Sequence, residues 1–297
     1  MQNKTLKLLI EKYYYVIIGL FFLTIFVVNY FVKVIPSDYS GYLLLIAFTS
    51  FTVFKDIKRT SKLKSFLLIA VPFLIVILII LACGNGIWHS VLKWELKNNI
   101  LINLNDIFSK IPFNNASFAR IFQPTWLTIY MSVVYNTGFV LAVLIPLYRA
   151  SLSIDLKKML QYTLATHIFQ VFLITPFYFV FYLQEVWVVN GHPDILVRNL
   201  IGAEILETTL NCLPSMHTSI AFAVFLLVIR EKDKIFKVVW GFYCLSIIYS
   251  TMYLEIHWVL DIFAGLLFGY FSVKLTDFVL KKSKAFKLSR YLISFLQ

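Results

Sequence analysis

Eight stretches of this chain are apolar over lengths that approach or match the thickness of a lipid bilayer: residues 13–33, 40–54, 65–83, 126–148, 160–182, 213–230, 236–254 and 257–280. A helix needs about 20 mostly apolar residues to cross the hydrocarbon layer, where no water is present to satisfy backbone N–H and C=O groups. The second stretch is short for this purpose and the others suffice. Charged residues make up 14% of the chain and apolar residues 60%, against about a quarter and a half in soluble domains. The expected fold is therefore an all-α, polytopic membrane helical bundle with about eight transmembrane helices.

The net charge of +12 raises the question of nucleic acid, but the basic residues sit in short clusters at the ends of apolar runs rather than along one face. Such clusters orient a membrane protein, because short cytoplasmic loops collect lysine and arginine. With the N-terminus inside, cytoplasmic segments carry twenty basic residues, including Lys55, Lys58, Arg59, Lys62 and Lys64 after the second span and Arg230, Lys232, Lys234 and Lys237 after the sixth. The opposite side carries six: Lys33, Lys93, Lys97, Lys110, Arg120 and Arg198. Both termini are expected in the cytoplasm, with no nucleic-acid partner. The apolar stretch after Lys4, Lys7 and Lys12 is too long for a signal peptide and lacks a small-residue cleavage site, so it reads as a retained first span. The expected organisation is a two-span extension over 1–64, a catalytic bundle with a six-helix core over 65–280 and a basic tail over 281–297.

Cys83, Cys212 and Cys244 are too few and too scattered in sequence for a disulfide framework or a CxxC metal site. Two connections, 84–125 and 183–212, are long, and long connections in compact proteins tend to carry function. In the first, Leu101, Leu104, Phe108 and Ile111 recur at three- and four-residue steps with Asn105, Asp106 and Lys110 between them. This pattern fits an amphipathic helix, either on the membrane surface or packed as a lid on the bundle.

Two segments carry the chemistry. The first is Asn211-Cys-Leu-Pro-Ser-Met-His-Thr-Ser219 and the second runs from Tyr249 through Glu255, His257 and Asp261 to Gly265; both open a span from the same side. Pro214 suits a first helical turn, where its missing N–H is no loss, and Ser215 and His217 then lie beside unpaired backbone N–H groups that attract an anion such as phosphate. His257 and Asp261 are four residues apart, on one helical face, so the carboxylate can fix the histidine tautomer and leave the other ring nitrogen free to attack. Ionisable groups within spans cost from about 2.5 kcal/mol upward and usually face a cavity or a partner. The alternative is structural, with His217 as a helix cap and His257–Asp261 as a polar pair tying helices together. His89, His167 and His192 have no partner at ligand spacing, and Glu255, two residues before His257, could tune the pocket, although a lone loop carboxylate is usually just solvated.

Pro-Ser-x-His followed by a serine-containing turn, and His-x-x-x-Asp, each at a helix start, resemble the type-2 phosphatidic acid phosphatase and haloperoxidase superfamily over roughly residues 160–275. Met216 stands where the phosphatases have the glycine of Pro-Ser-Gly-His, and Thr251 where they have the arginine of Ser-Arg-x5-His-x3-Asp. No upstream Lys-x6-Arg-Pro occurs. These departures look more like the branch that contains the inositol phosphorylceramide synthases.

The resemblance implies an integral membrane lipid phosphotransferase in which His257 is the nucleophile, Asp261 orients it, and His217 protonates the leaving oxygen and then activates the acceptor, with no metal and no cofactor. Ser215 would hold phosphate oxygens. Arg198, the only lysine or arginine in the connection before His217, is the candidate for the missing positive charge, with membrane snorkelling as its alternative. The partners implied are a lipid phosphate and the membrane, with the active site on the extracytoplasmic face. A lipid phosphate phosphatase, acting on phosphatidic acid or a polyprenyl phosphate or diphosphate, shares the first step. A transporter using the His–Asp pair as a proton relay is the reading from another class.

Overall fold

A computed structural model describes residues 2–35, 37–57, 62–98, 102–210 and 212–282. Lys58, Arg59, Leu101, Asn211, the basic tail beyond Lys282 and the side chains of Lys4, Lys7, Lys93, Lys97 and His89 fall outside what is described. In chain order the helices are α1 (Gln2–Val32), α2 (Ser37–Thr52), α3 (Leu63–Ser65 continuing through a π turn at Phe66–Ala70 into Val71–Asn98), the short α4 (Asn105–Lys110), α5 (Thr125–Leu152), α6 (Leu156–Thr163, a π turn at Leu164–Ile168, then Phe169–Tyr178), the short α7 (Val186–Asn190) and α8 (Ala203–Thr209), α9 (Met216–Val228), α10 (Lys234–Tyr253) and α11 (Val259–Lys282). Two-residue strands β1 (Ile102–Asn103) and β2 (Phe181–Tyr182) pair in parallel.

Each of the eight apolar runs overlaps a described helix: α1, α2, α3, α5, α6, α9, α10 or α11; a segment surrounded by hydrocarbon must satisfy its backbone internally. Five contain stretches long and apolar enough to cross a membrane: Leu9–Val32, Leu63–Ile80, Thr125–Leu152, Lys234–Tyr253 and Val259–Lys282; Ser40–Lys55 and Met216–Val228 are shorter apolar helices. One expected boundary is corrected. Residues 84–98 were read as connection, yet α3 runs on to Asn98. Hydropathy falls at Cys83, but no proline follows to interrupt the helical hydrogen bonds, so the helix outlasts its apolar segment.

The helices carrying the two motifs are neighbours because α11 has no side chains in the way. A Cβ on Gly265 would lie 2.7 Å from the Ser215 carbonyl oxygen, and one on Gly269 would lie 2.6 Å from that of Ser219. Small residues of this kind let two membrane helices approach backbone to backbone. At the far end of the bundle, the buried Arg149 guanidinium donates to Asp56 (Nε to Oδ2, 3.0 Å) and to the Thr52 carbonyl (3.0 Å), tying α2 to α5. The Tyr14 hydroxyl donates to the Leu152 carbonyl, and Ser50 and Tyr148 share a 2.8 Å hydrogen bond.

The amphipathic stretch resolves as a lid packed on the bundle. Its helix is only Asn105–Lys110, and its apolar face is occupied: Phe108 is buried edge-on against Trp258, in a cluster with Leu183, Val186 and Cys212. Asn105 and Gln184 bond reciprocally, Asn105 Nδ2 to Gln184 Oε1 at 3.0 Å and the Gln184 amide to Asn105 Oδ1 at 3.0 Å. The two long connections thus form one layer over the starts of α9 and α11.

Candidate active site

The start of α9 is built by Ser215. It is the N-cap, its Oγ accepting the Thr218 amide at 3.3 Å and donating to Thr218 Oγ1 at 2.9 Å. Pro214 therefore lies outside the helix rather than in its first turn, because serine competes better for the cap position. The Tyr178 hydroxyl holds the Pro214 carbonyl at 2.7 Å. Among the described residues nothing accepts a hydrogen bond from the Met216 or His217 amides. Ser215 was expected to face phosphate oxygens with its hydroxyl; the hydroxyl is instead fully buried in the cap, and the open donors are the two amides after it.

His217 is half-buried on the first turn of α9. Its ring stacks on Tyr135 at 4.7 Å between centroids and 25° between planes, and Phe139 meets it edge-on at 5.3 Å. Both aromatic residues come from α5, outside the motif region, and the sequence pattern offers no sign of them. On the other side stands His257, its ring 6.1 Å away between centroids.

His257 is positioned by the turn between α10 and α11. The Thr251 carbonyl accepts the amides of Ile256 (3.0 Å) and His257 (3.1 Å). The expected pair is present: His257 Nδ1 lies 3.3 Å from Asp261 Oδ2, with Asp261 fully buried and His257 5% exposed. The same carboxylate oxygen accepts the Trp258 amide at 3.1 Å, the reciprocal half of a cap from the third helical position. Asp261 Oδ1 is buried without a partner among the described residues. The Ser215 amide donates to the Asp261 carbonyl at 3.1 Å, which joins the two motifs directly.

Three expectations change. Glu255 is not a solvated carboxylate: it is 4% exposed, pairs with Arg120 at 2.8 Å and meets His192 Nδ1 at 2.9 Å, so it clamps both long connections to the turn before His257. Burial lowers the Arg120 pKa, and the Glu255 charge opposes that shift. Arg198 is neither a free phosphate-binding cation nor a snorkelling one. It donates to Asp194 (Nε, 2.8 Å) and to Glu185 (NH1, 3.1 Å), and although burial opposes its charge, these two carboxylates raise its pKa above the ordinary value. Asp194 is held below the usual carboxylate range by the same arginine against the opposing effect of burial.

Third, residues scattered in sequence form a potential ligand group: Cys212, His257 and Asp261 each present a donor atom, all within 4.8 Å of one another. Burial, then the charges of Asp261 and Glu185, push the Cys212 thiol well above its ordinary pKa, with Arg198 opposing. The sulfur lies 3.6 Å from the carbonyl oxygens of both Thr209 and Ile256. His167, by contrast, stays remote from this group, its Nδ1 at 3.2 Å from Thr166 Oγ1.

A histidine with a carboxylate on one ring nitrogen, a second histidine facing it and open helix-start amides form a constellation suited to nucleophilic attack on phosphorus. A family model described as PAP2 superfamily matches residues 163–283, a segment that holds both motifs. No curated protein and no solved structure matches the chain significantly. The family match supports membership of the type-2 phosphatidic acid phosphatase superfamily, and with it an enzyme of the phosphatase or phosphotransferase type acting on lipid phosphates.

Proposed function

We propose that this multi-pass membrane protein transfers a phosphate-containing lipid head group to an alcohol acceptor through a phosphohistidine on His257, as inositolphosphotransferases do. The carrying observation is the facing histidine pair, 6.1 Å between ring centroids, with Asp261 on one nitrogen of His257. With its Nδ1 proton directed at Asp261, His257 keeps a lone pair on Nε2. That nitrogen attacks phosphorus while His217 gives a proton to the departing lipid oxygen. In the second step His217 takes the proton of the acceptor hydroxyl, whose oxygen displaces His257 from phosphorus. The Met216 and His217 amides hold phosphate oxygens throughout, in the place where a helix start favours negative charge. Tyr135 and Phe139 keep the His217 ring oriented.

Transfer is favoured over hydrolysis by the lid. Phe108, Leu183, Val186 and Trp258 pack against one another beside the His257 turn, and a dry site protects a reactive phosphoenzyme from water. Met216 and Thr251, in place of the phosphatases' glycine and arginine, point the same way. Hydrolysis of a lipid phosphate requires only that water replace the alcohol in the second step. The distribution of lysine and arginine supports cytoplasmic termini and an extracytoplasmic active site, over a bundle of 65–280 with the two-span extension of 1–64.

The test is purified protein with head-group-labelled phospholipids, with and without a lipid alcohol such as ceramide or diacylglycerol as acceptor, reading released head-group phosphate against new lipid and trapping acid-labile, base-stable label on the protein. Alcohol-dependent new lipid supports the transferase; phosphate release alone assigns a phosphatase. Absence of label on His257 during turnover removes the phosphohistidine. Chelators are expected to leave the rate unchanged, because both proton transfers and the attack are carried by histidines.

A further inference from the structure

We infer that Cys212, His257 and Asp261 form a binding site for a thiophilic divalent cation, zinc in the first instance, and that its occupation switches the active centre off. The inhibition, unlike the binding, rests on the function proposed above. Three different donor types, a thiol, an imidazole and a carboxylate, are buried together with their donor atoms within 4.8 Å of one another. This is the mixed sulfur, nitrogen and oxygen set that zinc accepts, at final bond lengths of about 2.0–2.3 Å. His257 Nδ1 and Asp261 Oδ2, already 3.3 Å apart, need little movement, and Cys212 closes the remaining distance.

A second, independent observation is Asp261 Oδ1. It is a carboxylate oxygen in a fully buried side chain with no partner among the described residues. A buried carboxylate oxygen left unsatisfied is costly, and a cation is the natural remedy. Charge balance favours the ion further: the empty site carries the single negative charge of Asp261, whereas zinc with a thiolate and a carboxylate sums to zero. A cation also reverses the electrostatics that keep the thiol protonated, since a coordinating thiol loses its proton outright.

Binding balances as follows. The Cys212 sulfur gives up its proton to solvent and bonds the metal. His257 bonds it through Nδ1, so the proton that had pointed at Asp261 leaves that nitrogen and the neutral ring carries its proton on Nε2 instead. One proton is released in all. Nε2 then has no lone pair for phosphorus, and Asp261 no longer orients the ring. The metal thus acts by holding the wrong tautomer.

The experiment uses the full-length protein in detergent or nanodiscs, loaded with zinc and examined by zinc X-ray absorption and equilibrium dialysis, with lipid turnover followed in parallel. One sulfur neighbour at about 2.3 Å, one tightly bound zinc per chain and reversible loss of at least nine-tenths of turnover are expected, with affinity falling as pH falls. Cys212→Ser should remove the sulfur neighbour and abolish zinc sensitivity measured against that variant's own zinc-free rate, whereas Cys83→Ser, at an exposed position, should keep both. No sulfur neighbour in the unaltered protein, or one that persists in Cys212→Ser, overturns the site. Zinc bound through Cys212 with turnover undiminished keeps the site and overturns the role of His257. Turnover that needs zinc overturns the inhibitory assignment.

Discussion

Two helices of this protein begin side by side with a histidine at or just before the first turn, and their backbones are finished in opposite ways. At the start of α11 three successive amides have acceptors: Trp258 donates to Asp261 Oδ2, Val259 to the Asn114 carbonyl at 2.8 Å and Leu260 to Asn114 Oδ1 at 3.0 Å. At the start of α9 Ser215 caps one amide, and those of Met216 and His217 have no acceptor among the described residues. A plugged start makes a rigid platform, and an open one makes an anion site. The division suits a reaction in which one histidine must be aimed and the other must share its surroundings with a phosphate.

The comparison breaks most completely at His257. His257→Gln should abolish turnover while the protein still inserts and migrates as a folded species, because His217, the histidine that faces it, has no carboxylate partner among the described residues. Head-group transfer above background in that variant would remove the nucleophile. Next comes Asp261→Asn, which keeps the shape but neither selects the tautomer nor stabilises an imidazolium; a fall on the order of 10⁴ in turnover is expected by analogy with carboxylate–histidine pairs in hydrolases. Near-normal turnover would make the pair structural.

Asn114→Ala attacks the plug itself. It removes the acceptor of the Leu260 amide and the Nδ2–H donor to the Phe108 carbonyl at 3.1 Å, while the backbone bond to Val259 stays. A fully buried amide left unpaired costs about 1–3 kcal/mol and the Leu260 bond is part-buried, so thermal stability should drop modestly and turnover should fall by less than in Asp261→Asn. Unchanged stability would mean that the α11 start does not depend on the lid connection.

Much of this was legible in the sequence where physics imposes a period or a length. The bilayer's thickness makes apolar runs visible, and the four-residue spacing does bring His257 to Asp261, although His257 precedes α11 and meets the carboxylate across the helix cap rather than on one helical face. What escaped lies between residues far apart in irregular segments. Arg198 with Glu185, Arg120 with Glu255, Asn114 under α11, Tyr135 on His217 and Cys212 beside Asp261 obey no repeat, since the turns that bring them together are set by tertiary packing. Arg198 shows the consequence: composition alone left it as the available cation, and its two carboxylate partners became apparent only once the loop was folded. The end of α3 escaped for another reason, because hydropathy reports the solvent and not the helical hydrogen bonds.

The smallest effect is expected from Ser215→Ala, which probes the open start. Losing a serine cap costs about 0.5–2 kcal/mol of stability, here through the Thr218 amide. The hydroxyl is buried in that bond and in the one to Thr218 Oγ1, so it is not among the groups left to meet a phosphate. Turnover should accordingly fall less than in Asp261→Asn, with the loss appearing in KM as the first turn loosens and the Met216 and His217 amides lose their alignment. Ser215→Thr, which retains a capping oxygen, should recover most of it. Steady-state kinetics on the inserted proteins, beside their melting temperatures, decide the order. If Ser215→Ala proved worse than Asp261→Asn, and Ser215→Thr failed to rescue it, the hydroxyl itself would be contacting the reacting phosphate. The open start of α9, rather than the aimed histidine of α11, would then be the centre of the chemistry.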